Sequence, residues 1–140
     1  MRELIALTLV LLSAAASAEE WVVVRKPSDP GQAGLPSIIV DSASIVILDN
    51  GLRRARTKID FLADGRQHPD PSGPTFLALL IVVKSYDCVK RMTHEESTEF
   101  HNSDGSVHTA DISNNPKWYP APENKWADPT IDFVCGWKPN

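Results

Sequence analysis

The side chains through which this chain could do chemistry are few: four histidines, two cysteines, a run of glutamates and one tight basic cluster. His101 and His108 flank Ser103-Asp104-Gly105. A two-residue turn at Asp104-Gly105 sets residue 103 against 106 and so places His101 opposite His108. Two facing imidazoles beside Glu99 would begin a divalent-metal site. No third histidine has matching spacing, however, and one more residue in the loop destroys the register, so a solvated face is the simpler reading and no metal or cofactor is expected. Glu95, Glu96 and Glu99 could act as paired carboxylates for acid–base work, but such a pair needs a cleft, and charge runs on exposed strands are common. Arg53, Arg54, Arg56 and Lys58 form the sharpest positive patch in an acidic chain. Strand alternation puts Arg54, Arg56 and Lys58 on one face and Arg53 on the other. Those three are the candidate contact for an acidic protein or glycan; the plainer alternative is a solvent face balanced against acidic strands. Trp118, Trp126 and Trp137 read first as core or helix-flanking residues and second as interface anchors. There is no Gly-rich phosphate loop, no CxxC, no HExxH and no G-x-S-x-G, so the chain is expected not to be an enzyme.

These residues must be carried by about one domain, since 140 residues including a leader fall in the single-domain range. Met1-Arg2-Glu3, the apolar stretch Leu4 to Ala16 and the small-x-small sequence Ala16-Ser17-Ala18 together have the form of a cleaved signal peptide. Residues 1–18 are therefore expected to be removed and residues 19–140 to form the exported domain, periplasmic or secreted. The leader is too short for a membrane anchor, and the longest later apolar run, Phe76 to Val83, does not reach spanning length. No cysteine lies near the cleavage site to take a lipid. With 14 basic against 18 acidic residues the net charge is −4, which argues against a nucleic-acid partner. Cys88 and Cys135 are the only thiols, and an even number in an oxidising compartment favours a disulfide. The alternatives are two buried thiols or a nucleophile, which would need a nearby histidine and a cationic setting that neither position shows locally.

The hydropathy pattern is mainly that of strands. Trp21 to Lys26 is β-branched, Pro27 to Pro36 is a loop, and Ser37 to Asp41 and Ala43 to Leu48 are short apolar runs. Asn50-Gly51 is a hairpin dipeptide, because both positions tolerate positive φ. Leu52 to Leu62 alternates as in a sheet with one wet face. Gln67 to Pro74 has too many prolines for a central strand. Phe76 to Val83 suits the middle of the sheet, covered on both sides. Ser85 to Met92, Glu95 to Phe100 and Val107 to Ile112 continue as polar strands. At the end, Asp128 can cap a short helix, with Pro129 at its first position and Gly136 just past its last. Ile131, Val134 and Cys135 share one face of it, and Cys135 directs that face onto the strand carrying Cys88.

In order along the chain, four features resemble the bacterial surface-adhesin E family. They are the tryptophan-led strand Trp21-Val22-Val23-Val24, the sequence Tyr86-Asp87-Cys88 with Lys90-Arg91, the polar hairpin Glu96 to His108, and Asn115-Pro116 with Trp118 and Pro120 before a helix ending Phe133-Val134-Cys135. The resemblance implies an α+β, mainly β fold: one antiparallel sheet of about six strands with the C-terminal helix packed on it and tethered by the disulfide. It also implies an accessory surface protein that attaches to host matrix or envelope macromolecules and can form a homodimer. Two departures stand against it: the adhesive members are lipid-anchored, and Asn124 to Asp128 replaces their usual Gly-Ser before the helix. No binding residue of the family carries over. The alternatives of other classes are a periplasmic small-ligand binder or hydrolase using Glu95, Glu96 or Glu99, and a structural envelope component.

Overall fold

The β-branched and alternating runs from Trp21 onward pair into one antiparallel sheet, and the last apolar segment folds back over it as a helix. The structure, a computed structural model, describes residues 18–70, 73–111, 117–121 and 128–139. The expected signal segment as far as residue 17, Asn115-Pro116, Trp126 and the rest of 122–127 lie outside the described residues. The strands are β1 (Trp21–Arg25), β2 (Ser37–Ile47), β3 (Arg53–Asp60), β4 (His68–Pro69), β5 (Phe76–Asp87), β6 (Met92–Asn102), β7 (Val107–Asp111) and β8 (Tyr119–Pro120), with the helix α1 (Pro129–Gly136). Six of them run in the order β1-β2-β3-β5-β6-β7; β4 adds to β5 and β8 to β6. The expected α+β architecture, one antiparallel sheet with a short C-terminal helix held by a disulfide, is present.

The two hairpin loops differ from expectation in the same way. Residue 47 pairs with 53 and residue 101 with 107, so each loop holds one more residue than a two-residue turn. Asp49-Asn50-Gly51 and Ser103-Asp104-Gly105 are closed by Leu48 N to Leu52 O and by Asn102 N to Ser106 O, with Gly51 and Gly105 at φ 81° and 86°. This is the three-residue loop that ends in a left-handed glycine, and Asn50 needs no positive φ. The extra residue slides β7 by one position. His101 therefore lies opposite Val107, while His108 lies opposite Phe100. Since a one-residue slip turns a side chain to the other face, the two histidines sit on opposite faces and the expected facing pair does not form.

Three further expectations change. Ser37 to Asp41 and Ala43 to Leu48 are one strand, bent by an irregularity between Asp41 and Val46. Ser85 to Met92 is not a strand throughout: β5 stops at Asp87, and residues 88–91 turn, with Asp87 Oδ1 accepting from the N–H groups of Val89 and Lys90 and Arg91 at φ 53°. Cys88 thus sits in a turn. The run Phe76 to Val83 is central in the sheet, between β3 and β6, but Leu79, Leu80, Ile81 and Val83 are half-buried instead of covered on both sides.

The core lies between α1 and one face of the sheet. Val40, Ile45, Ala55 and Tyr86 from the strands meet Ile131 and Val134 from the helix, with Ala121 at the margin and Val24, Phe133 and Trp137 against it. Each large aliphatic fully buried there contributes about 1.5–3 kcal/mol. Eight residues are too few for a helix to persist alone. Its ends are fastened instead. At the start, Asp128 accepts from Thr130 N, as its position before Pro129 suggests. Its other oxygen takes Lys84 Nζ at 2.9 Å, and the Tyr86 hydroxyl donates to Thr130 Oγ1. At the finish, Gly136 is the last helical residue and has no left-handed φ; Trp137 is the cap. The carbonyls of Val134 and Trp137 are bonded by Arg53 Nη1 at 2.8 and 2.6 Å, so a guanidinium from β3 does what a glycine cap was expected to do. The Cys88–Cys135 disulfide completes the fastening.

Candidate binding face

Directly paired residues on neighbouring strands project to the same side, so the register defines what each face displays. Across from the helix, three rows cross the sheet. One runs Val46, Arg54, Ser85, His94; the next Trp21, Asp41, Arg56, Val83, Ser97; the third Val23, Ile39, Lys58, Ile81, Glu99, Thr109. Arg54, Arg56 and Lys58 therefore line up along β3 on the face away from α1, spaced about 7 Å apart by the two-residue repeat. Arg53 points the other way, into the helix terminus, as strand alternation requires. Val23 and Val46 are exposed on the same face, and Trp21, Ile39, Ile81 and Val83 are half-buried.

None of the three cations is bare. Arg54 Nε meets both oxygens of Glu96 at 3.0 Å. Glu96 is the extra residue of a bulge between the pairs Lys84–Glu95 and Val83–Ser97. The bulge aims it at Arg54, and buried Ser85 Oγ donates to it at 2.6 Å. Arg56 pairs with Glu19, whose other oxygen accepts from Trp21 Nε1 at 2.8 Å. Lys58 Nζ lies 3.7 Å from the centroid of the Trp21 ring, with the Arg56 guanidinium carbon at 5.1 Å, so one indole serves two cations. The Trp21 indole N–H, and after it Arg56, hold the Glu19 carboxyl below the usual carboxylate range. The two pairs differ in depth. Glu96 is 22% exposed, but Glu19 is 50% exposed and its contact is open to salt. Backbone bonds fix the segment beneath: Glu20 N donates to Asp41 Oδ1, and Ser42 N and Oγ bond Glu20 O.

The glutamates do not converge. Glu96 is committed to Arg54 and Ser85, Glu99 bonds His101 on the open face, and Glu95 is exposed, opposite Lys84 on the helix side. His94 is buried under Trp118, their rings 5.6 Å apart, and His68 pairs with Asp64 and packs against Phe61. His108 stacks on Phe100 at 4.6 Å, and its Nε2 is 3.8 Å from Asp70 Oδ2. That buried carboxylate also takes Asn102 Nδ2 at 3.0 Å, pinning the loop before β5 to the β6–β7 hairpin. Among the described residues no group of three or more histidine, cysteine or acidic side chains could hold a metal.

On the helix side, Lys84 and Asp128 are an ion pair with side chains 12% and 15% exposed. Burial, the largest influence, pushes the Asp128 carboxyl up; the charge of Lys84 and the hydrogen bonds from Thr130 and Lys84 outweigh it and leave the carboxyl below its ordinary range. Burial likewise depresses Arg25, which Asp128 partly restores, and raises the Tyr86 hydroxyl above its ordinary range. This network fastens the helix. Sequence reasoning found the basic row but missed Trp21 and Glu19 as parts of the site. Only the β1-β2-β3 register brings residues 19 and 21 beside residue 56, and no local pattern encodes it.

Comparison with known proteins adds no relative: no family model matches the chain, and no curated protein matches it.

Proposed function

We propose that this protein is a non-enzymatic, exported binding module of adhesin-like type that presents the sheet face bearing Arg54, Arg56 and Lys58 to another macromolecule. What supports this reading above all is the line of three cations along β3 on the face away from the helix. Export rests on the leader-like sequence from Leu4 to Ala18, and a disulfide fits an oxidising compartment. The adhesin E resemblance points the same way. A hydrolase built on Glu95, Glu96 and Glu99 has less support, because these carboxylates lie apart, two of them each held by its own partner.

The test is capture of the exported, cleaved protein on matrix proteins and on acidic glycans, as a function of salt. Arg56→Glu with Lys58→Glu, checked for an unchanged melting temperature, should abolish capture that wild type shows at low salt. Capture indifferent both to salt and to the reversal would place the contact elsewhere and refute the reading. N-terminal analysis beginning at Glu19 is the expected sign of export; a protein retaining Met1 would refute it.

A further inference from the structure

The geometry points to a carboxylate subsite formed by Arg56, Lys58 and the indole N–H of Trp21, which takes the uronate groups of an acidic polysaccharide and which the free protein fills with its own Glu19. The inference rests on the binding reading above and narrows it to a ligand class. A carboxylate already sits there with one oxygen on the guanidinium and the other 2.8 Å from Trp21 Nε1, which defines the chemistry that the site accepts. The Lys58 ammonium, over the same indole, adds a second positive charge that also acts on that carboxylate.

The occupant is built to leave. Residue 20 is bonded through both its N–H and its carbonyl, so the chain is fixed one residue away, but the Glu19 side chain is half exposed and makes no bond into the core. The other anions on this face are engaged elsewhere: Glu96 is held by a buried serine and stays with Arg54, buried Asp41 accepts from Glu20 N, and Glu99 bonds His101. An incoming anion would thus displace Glu19 alone. Around the subsite the half-exposed sheet displays both aliphatic and polar residues, Val23, Ile39 and Ile81 on β1, β2 and β5 and Ser97, Glu99 and Thr109 farther across on β6 and β7. That suits a pyranose, whose surface mixes C–H and O–H groups, better than a protein side chain, which gains most from a fully desolvated pocket. Cations repeating along a strand likewise suit a linear polymer whose charges repeat.

Polygalacturonate, with neutral dextran as control, is the probe, and affinity electrophoresis at several salt concentrations is the assay. Wild type should be retarded by polygalacturonate and not by dextran, less so as salt rises. Glu19→Gln should bind about threefold more tightly, the scale on which one exposed ion pair ceases to compete. Trp21→Phe, which keeps the ring and loses the N–H, should weaken binding, and Arg56→Met with Lys58→Met should abolish it. Polygalacturonate binding that Glu19→Gln leaves unchanged or weakens would overturn the inference, since Glu19 would then support Arg56 instead of competing for it. Capture on a matrix protein that depends on Arg56 and Lys58, with no retardation by polygalacturonate, would overturn the glycan assignment and leave the binding reading standing. Capture by neither would remove both.

Discussion

Replacing Asp128 by asparagine separates the two things that this residue does for the fold. Asparagine remains a good helix cap, so the bond from Thr130 N survives, but the charge facing Lys84 is lost. Removing one partner of a buried ion pair costs about 3–5 kcal/mol; Lys84, 12% exposed on a flexible stem, can move part of the way toward water, which brings the expected loss to about 2–3 kcal/mol. Asp128→Ala also removes the cap and should cost about 1 kcal/mol more. Urea denaturation at neutral pH reads both numbers. Acid supplies a second reading. The folded carboxyl is depressed below its ordinary 3.8, so its contribution is fully present above that value and disappears as pH falls through the folded one. The stability gap between wild type and Asp128→Asn should therefore close in acid below pH 3.8, and only there. Lys84→Met on the Asp128→Asn background should recover at least half of the loss, because no buried cation is then left unpaired. An Asp128→Asn protein as stable as wild type at pH 7, or a gap that persists unchanged in acid, would show that the pair does not fasten the helix.

Other outcomes follow from the same contacts. Arg53→Met strips the donors from the Val134 and Trp137 carbonyls and should cost about 2–3 kcal/mol, with amide exchange rising first in α1; protection equal to wild type in α1 would refute the capping role. Cys88→Ser with Cys135→Ser opens a link spanning 47 residues and should lower stability by about 4 kcal/mol in the loop-closure limit, and unchanged melting after reduction would contradict it. Gly105→Ala meets no atom within 4 Å, so its cost is that of the positive φ alone, about 1–2 kcal/mol by thermal denaturation; a neutral result would mean that the loop is not the three-residue form.

Alternation and punctuation made much of this fold readable. The alternation of Arg53 with Arg54, Arg56 and Lys58 assigned each to its face, and Asp128-Pro129 marked the helix start, because both signals act within a few residues. The failures have equally local causes. Nothing in Cys88-Val89-Lys90-Arg91 announces a turn, since it contains neither glycine nor proline and its left-handed residue is an arginine. Asn50-Gly51 and Asp104-Gly105 fit two loop lengths, and only the pairing of the flanking strands decides between them. Gly136 carried a capping signal that a side chain more than eighty positions earlier made redundant. The pairing of Glu19 with Arg56 depends on the order of three strands, which no window of sequence contains.

The position of α1 after all of the described strands has a consequence for the timing of folding. The core needs Ile131 and Val134, and Cys88 needs Cys135, so a chain that emerges N-terminus first from a ribosome carries an unfinished core until α1 is out. Until then the face formed by Val40, Ile45, Ala55 and Tyr86 has no helix on it, and Cys88 meets any oxidant without its partner. Closure of this core thus comes only after the described strands have been made. The bond between Cys88 and Cys135 can close only after α1 has emerged, so it marks the point at which this core is whole.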